Sequence, residues 1–168
     1  MSRTFRRSPG NRCSSHIAMR TEFADLKIAM FNNALVRHIE WGDCDPAGIV
    51  FNPRFFTFFD HGTTMLIEAA GWPHRLAIET FNIVGWPLVA MRANFSAPCT
   101  YGDEVTITTR IAAVRNSSFD VEHTLSKDGV THVEGFETRV WTRRDPKSGL
   151  LGSTPLPPEV VARFLEQV

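Results

Sequence analysis

No apolar run in this 168-residue chain comes near the roughly 20 residues that span a bilayer, and its opening lacks the apolar core of a secretory signal. A cytoplasmic protein is expected. The cysteines are few and odd in number (Cys13, Cys44 and Cys99), with no C-x-x-C pair and no histidine pair at ligand spacing. That argues against a disulfide framework and a structural zinc site, and fits a reducing compartment. No G-x-S-x-G elbow occurs, which removes the usual signal for a serine nucleophile. A basic face is missing too. The first 20 residues carry five of the 18 basic side chains and no acid, leaving 13 basic against 18 acidic groups, net −5, in the rest. Such a body offers nothing to a polyanion, so nucleic acid is not an expected partner.

The acid-free opening, MSRTFRRSPGNRCSSHIAMR, has the composition of a mitochondrial transit peptide. Pro9-Gly10, poor helical periodicity and the later Met19 and Met30 favour instead a disordered leader or an over-long start. Residues 1–32 are therefore set apart from a single domain over 33–168.

Within that domain, residues 34–41 alternate in polarity and predict a first strand. Asn52-Pro53 predicts a helix start, with asparagine as N-cap and proline at the first helical position, and Gly71 with Pro73 predicts its stop. The helix carries Phe55, Phe56, Phe58, Phe59, Met65, Leu66 and Ile67, an apolar arc wide enough to predict burial over most of its circumference. Asp60 and His61 fall inside that arc and become candidates for lining a site. Beyond residue 80 the period changes to two, in Val89–Phe95, Val105–Ile111 and Phe119–Leu125, and Lys127-Asp128-Gly129 marks a hairpin before a fourth run. That pattern predicts a β-meander. Val133, Phe136 and Val140 break alternation across Gly135, which predicts a bulge there. Residues 143–159 are rich in proline, glycine and polar groups, and the last residues predict a short helix. One helix and one sheet leave sheet edges uncovered, which predicts pairing with a second copy.

The densest chemistry lies in DCDPAGIV, residues 43–50. Taken alone it is a turn, since Gly42, Asp43, Asp45-Pro46 and Gly48 are turn formers and aspartates bond nearby amides. The helix start that follows supplies oriented N–H groups and a positive dipole end. Pro53 removes one donor and leaves Asn52 and its neighbours. A carboxylate facing oriented N–H groups is what acyl transfer needs: a nucleophile or general base, and an oxyanion hole.

DCDPAGIVFNPRFFTFFD resembles the signature of the 4-hydroxybenzoyl-CoA thioesterase family of hotdog-fold proteins, and IVGWPLVAMRANFSAPCTYGDEVTI fits that family's second and third strands. The resemblance covers roughly residues 34–145. It implies an α+β hotdog fold, a curled antiparallel sheet around one long central helix, and hydrolysis of an acyl-CoA thioester to free acid and coenzyme A. By the same resemblance Asp45 is the catalytic carboxylate, attacking directly or activating water, while the backbone N–H of Asn52 holds the oxyanion and Asp43 shapes the turn. Asp60 corresponds to an acid directed towards the acyl pocket, able to accept a hydrogen bond from a phenol. His61 and Trp86 are assigned to the same pocket, Trp86 at a position where hydroxybenzoyl enzymes can carry a smaller residue. Arg115, Ser117 and Ser118 occupy a hairpin turn suited to coenzyme A phosphates, with Arg92, Arg143 and Arg144 as weaker candidates; His38 and His123 are expected to be structural. No metal or cofactor is implied beyond the coenzyme A of the substrate. A homodimer or homotetramer with its site between subunits is expected. The rival readings are a hotdog module that binds acyl-CoA or a partner without turnover, and a hydratase, which would call for a histidine-centred acid/base pair.

Overall fold

The computed structural model describes residues 30–166. The leader reading for residues 1–29 lies outside the described residues. Phe31 is buried and the first strand opens at Asn32, so residues 31 and 32 belong to the domain and not to the leader.

Strand β1 (Asn32–His38) leads through a 3-10 turn at Trp41–Asp43 to helix α1 (Asn52–Ala69) and helix α2 (His74–Phe81). Strands β2 (Leu88–Phe95), β3 (Glu104–Val114), β4 (Ser118–Lys127) and β5 (Val130–Val140) follow, then the small hairpin β6 (Thr142–Arg144) and β7 (Leu151–Ser153), and helix α3 (Pro158–Phe164). The five long strands form one antiparallel sheet in the order β1-β3-β4-β5-β2. Helix α1 lies along it and contacts β1, β3 and β4. This is the expected hotdog architecture. No helix among the described residues is long and apolar enough to cross a membrane.

Several local expectations change. The first strand ends at His38 instead of Trp41, because the Asp43 carboxylate accepts the Glu40 N–H at 3.1 Å and folds the chain into the 3-10 turn. The meander is confined to β3-β4-β5: β2 crosses to the far side of β5, where Ala93 faces Gly135, instead of pairing with β3. At the β4–β5 turn Asp128 and Gly129 both have positive φ, 51° and 78°, the conformation a two-residue hairpin requires.

Gly135 is not a bulge. Gly135 pairs in register with Ala93 on one side and His123 on the other, and the irregularity of β5 against β4 lies at His132, where the pairs step from Leu125–Val133 to Ser126–Thr131. Glycine is required there because the Phe59 ring occupies the space: a Cβ would lie 2.5 Å from Phe59 Cε2. Alternation through β5 is intact, with Val133, Gly135, Glu137 and Arg139 facing inward. Helix α2 and the β6–β7 hairpin were not anticipated, although Ala77, Ile78 and Phe81 have helical spacing.

Helix α1 is buried along one face only. Phe55, Phe58, Phe59, Gly62, Thr63, Leu66 and Ile67 pack on the sheet, whereas Arg54, Thr57, Asp60, His61 and Glu68 are exposed. Its inner face meets two apolar clusters. One surrounds Phe55, Phe58, Phe59, Ile107 and Leu125, and the other surrounds Leu66, Ile67, Trp86, Trp141 and Phe164. Between them runs a polar layer of Thr63, Thr109, His123, Glu137 and Arg139, all buried.

Candidate active site

The loop from Trp41 to Phe51 is closed by its own backbone. Asp45 N–H donates to Ile49 O at 2.9 Å, Gly48 N–H to Asp45 O at 2.9 Å, and Phe51 N–H to Asp43 O at 2.9 Å. Gly48, at φ 80°, makes the turn possible. Across this loop the two aspartates separate in role. Asp43 is buried; its Oδ2 accepts Arg37 Nη2 at 3.2 Å and the Glu40 amide at 3.1 Å, with Arg54 Nε 3.9 Å from Oδ1. Asp45 is half-buried and accepts one backbone bond, from Ala47 N–H to Oδ1 at 2.8 Å. Its Oδ2 has no partner among the described residues. The expected turn role of Asp43 agrees with this geometry.

The helix start differs by one residue from expectation. Phe51 is the N-cap, Asn52 the first helical residue and Pro53 the second, and no side chain caps the end. Arg54 N–H already donates to Phe51 O at 2.7 Å. The Asn52 amide has no acceptor among the described residues. Asn52 lines a cavity of about 230 Å3 with Ile49, Phe55, Phe95, Pro98 and Cys99. The Phe55 and Phe95 rings meet edge-on there at 5.6 Å. The residue with the unpaired amide thus lines a largely apolar hollow. Cys99 offers no nucleophile on its wall: burial and the nearby Asp103 carboxylate push its thiol up to about 11 against the opposing Lys127 charge, so it is protonated at neutral pH.

The remaining candidates are dispersed. Asp60 and His61 lie on the open flank of α1, not in a buried arc. Asp60 Oδ1 accepts Arg139 Nη2 at 2.7 Å, and His61 lines a separate hollow of about 120 Å3 with Val36, Arg37 and Phe58. Trp86 is a core residue, 6% exposed, stacked on Trp141 at 5.5 Å with His74 edge-on at 5.1 Å. It stands in the apolar cluster beside Leu66 and Ile67, while Asn52 lies at the opposite end of α1. Ser117 lies in the β3–β4 turn and Ser118 opens β4, the turn being closed by Arg115 N–H to Ser118 O at 2.8 Å. The Arg115 guanidinium grips both oxygens of Asp120 at 2.9 and 2.5 Å. Arg92 lies over the Phe136 ring, Arg143 donates to Phe81 O and Asn82 O behind α2, and Arg144 donates to Gly149 O. His38 is a surface partner of Glu104, and His123 is buried against Phe59.

Sequence reasoning missed Glu137 and Arg139. Arg139 reaches from the sheet's inner face to Asp60, and Glu137 holds it from beneath through Nε at 2.8 Å. The sequence carries the signal, since both share the inward parity of Val133, whereas Phe136 and Val140 fall on the opposite face. Among the described residues no group of three or more acidic, histidine or cysteine side chains is placed to hold a metal.

A sequence profile described as the thioesterase-like superfamily matches residues 39–164, three quarters of the chain. The chain belongs to the thioesterase-like superfamily. Within it, a 4-hydroxybenzoyl-CoA thioesterase from Pseudomonas sp. strain CBS-3 is 37% identical over 92 residues, 54% of this chain and 65% of that enzyme, just under two thirds of its length. The solved structure of 4-hydroxybenzoyl CoA thioesterase from the same strain superposes with TM-score 0.72 at 30% identity, over 79% of this chain and 98% of the other. A gentisyl-coenzyme A thioesterase structure superposes with TM-score 0.69 at 30% identity, over 80% of this chain and all of the other. The superfamily match includes the loop, the helix start and every strand from β2 to β7.

Proposed function

We propose that this protein hydrolyses an acyl-CoA thioester whose acyl group is a hydroxylated aromatic ring, with Asp45 as nucleophile or general base and the Asn52 amide as oxyanion donor. The observation that carries the proposal is the unpartnered backbone amide of Asn52, a residue that lines an apolar hollow, at the end of a helix fed directly by the Asp45 loop. Attack on the thioester carbonyl, by the carboxylate or by a water it deprotonates, puts negative charge on the carbonyl oxygen. A preorganised N–H that gains its acceptor at that moment contributes about 3 kcal/mol to lowering the barrier. The carbon–sulfur bond then breaks and coenzyme A leaves as thiolate; where the carboxylate attacked directly, water then hydrolyses the mixed anhydride, releasing the free acid and restoring Asp45. A thioester needs less activation than an amide, so one carboxylate and one oriented amide suffice.

The aromatic, hydroxylated acyl group is inferred from the 4-hydroxybenzoyl and gentisyl substrates in the names of the relatives. Arg115 with Ser117 and Ser118 is the proposed contact for coenzyme A phosphate; occupying it requires the guanidinium to share or exchange its Asp120 partner. His61 is kept as an acyl-pocket candidate only in the assembly, since it does not meet Asn52 within one protomer; Trp86 is enclosed in the protomer's own core and is not kept. The proposed assembly is a cytoplasmic homodimer or homotetramer with the site between copies. The unpaired edge of β2, where Leu88, Val89 and Phe95 are exposed, supports it.

The test is thiol release from a panel of aromatic, short-chain and long-chain acyl-CoA thioesters. The expected result is turnover with a preference for 4-hydroxybenzoyl- or dihydroxybenzoyl-CoA. Binding of these thioesters without thiol release would overturn the proposal in favour of a non-catalytic module.

A further inference from the structure

Helix α1 opens with a charge that its own dipole disfavours. The free N–H groups of a helix N-terminus carry partial positive charge, so a first turn favours acidic side chains over cations. The first turn of α1 holds no acid, and its third residue is Arg54. Arg54 Nη2 donates to Gly42 O at 3.0 Å, twelve residues earlier in the chain, and Arg54 Nε stands 3.9 Å from Asp43 Oδ1. The arginine reaches back from the helix to the turn that precedes Asp45.

That turn is anchored from the sheet as well. The Asp43 side chain is 7% exposed; Arg37 of β1 donates to its Oδ2 at 3.2 Å, with the Arg37 Cζ 4.0 Å above the centre of the Phe58 ring. One buried carboxylate thus faces two guanidinium groups, one from β1 and one from the helix that starts at Asn52. Stability does not account for Arg54, because its side chain is 48% exposed and an ion pair at that exposure contributes little. What the contact supplies is position. Asp45 lies two residues after Asp43, and Asn52 two residues before Arg54, so a link from Arg54 to the Gly42–Asp43 turn closes a ring of chain that carries both groups. Backbone bonds from Asp45 N–H to Ile49 O and from Phe51 N–H to Asp43 O brace that ring internally, and Arg54 fastens it to the first turn of the helix.

We propose that Arg54 is a positioning residue: by holding the Gly42–Asp43 turn against the first turn of α1, it sets the separation between the Asp45 carboxylate and the Asn52 amide. This rests on the reading of Asp45 and Asn52 as the reacting pair of a thioesterase. Attack and oxyanion stabilisation need both groups in place together, and a displacement of about 1 Å lowers turnover by up to about 100-fold with every reacting group still present. A turn released from the helix spends less of its time at the productive separation, so the loss falls on kcat and not on KM.

The experiment measures kcat and KM for the aromatic thioester that the parent turns over fastest, in the parent, Arg54→Met and Arg54→Lys, with urea unfolding of each. Both variants should keep a urea midpoint within about 0.3 M of the parent, as expected for a half-exposed side chain. In Arg54→Met, kcat should fall about 10- to 100-fold with KM within about threefold of the parent. Arg54→Lys keeps the charge and a donor without the planar fork, and should recover at least part of that loss. Nitrogen-15 relaxation dispersion at the Asp45 and Asn52 amides, with no substrate present, should show millisecond exchange in Arg54→Met that is absent from the parent. A parent-like kcat in Arg54→Met, a loss confined to KM, equal losses in both variants, or unchanged dispersion would each overturn the positioning role while hydrolysis stands. A fall in kcat that tracks a lowered urea midpoint would make Arg54 merely structural and overturn it too. Absence of thiol release from every thioester in the parent would overturn the thioesterase reading, and this inference with it.

Discussion

Asp43 and Asp45 are two residues apart and have opposite environments. The first has its carboxylate committed to Arg37, a backbone amide and the approach of Arg54; the second gives one oxygen to Ala47 N–H and keeps the other open. Asp43→Ala should therefore destabilise the fold by about 1–2 kcal/mol, by removing the buried acceptor that ties Arg37 and the Glu40 amide together. Its mark would be a lowered urea midpoint at constant m-value. Asp45→Asn should leave the unfolding free energy within about 0.5 kcal/mol of the parent, since the amide oxygen can still accept from Ala47. Finding the larger loss at Asp45 would reverse the assignment of roles within this loop.

At the scale of elements, Gly135 and Phe59 couple β5 to α1. Gly135→Ala places a methyl group in the Phe59 ring and should cost about 1–3 kcal/mol by overpacking, whereas Gly135→Ala with Phe59→Leu should recover part of the loss. Chemical denaturation of Gly135→Ala, Phe59→Leu and the double variant measures this; additive losses would contradict the packing account. The long elements were legible in sequence because their signals are local. Asn52-Pro53 and Gly71 bracket α1, period two marks β2 to β5, and Asp128-Gly129 makes the hairpin. What could not be read depends on partners distant in sequence. Gly135 looked like a bulge because the reason for it, a ring on α1, lies 76 residues earlier. The crossing of β2 to β5 is a choice among edges that alternation does not encode. The candidate site divides the same way: the turn at Asp43–Gly48 and the helix start at Asn52 are contiguous and legible as local structure, whereas the Asp60–Arg139 contact spans 79 residues and is not.

For the whole molecule, the buried Glu137 ties stability to pH. Burial alone would raise its pKa, but the facing His123 imidazole, the Arg139 charge and the Thr63 hydroxyl outweigh burial and hold it below the ordinary 4.5. A depressed folded value means that its contribution is complete above about pH 4.5 and is lost as pH falls through the lower folded value. The melting temperature should accordingly decline below that pH, with a shallower decline in Glu137→Gln; equal slopes would show that Glu137 carries none of the linkage. The open edge of β2 makes a second whole-molecule prediction. Light scattering should give a dimer or tetramer mass, and Val89→Lys, which puts a charge on that edge, should shift it towards the single chain. A monomeric parent would remove the proposed site between copies. The central claim is that Asp45 performs thioester hydrolysis. It is met most directly by single-turnover thiol release from 4-hydroxybenzoyl-CoA with parent and Asp45→Asn protein, both verified as folded. The account predicts a rate lower by about 100- to 10,000-fold in the variant; equal rates would contradict it.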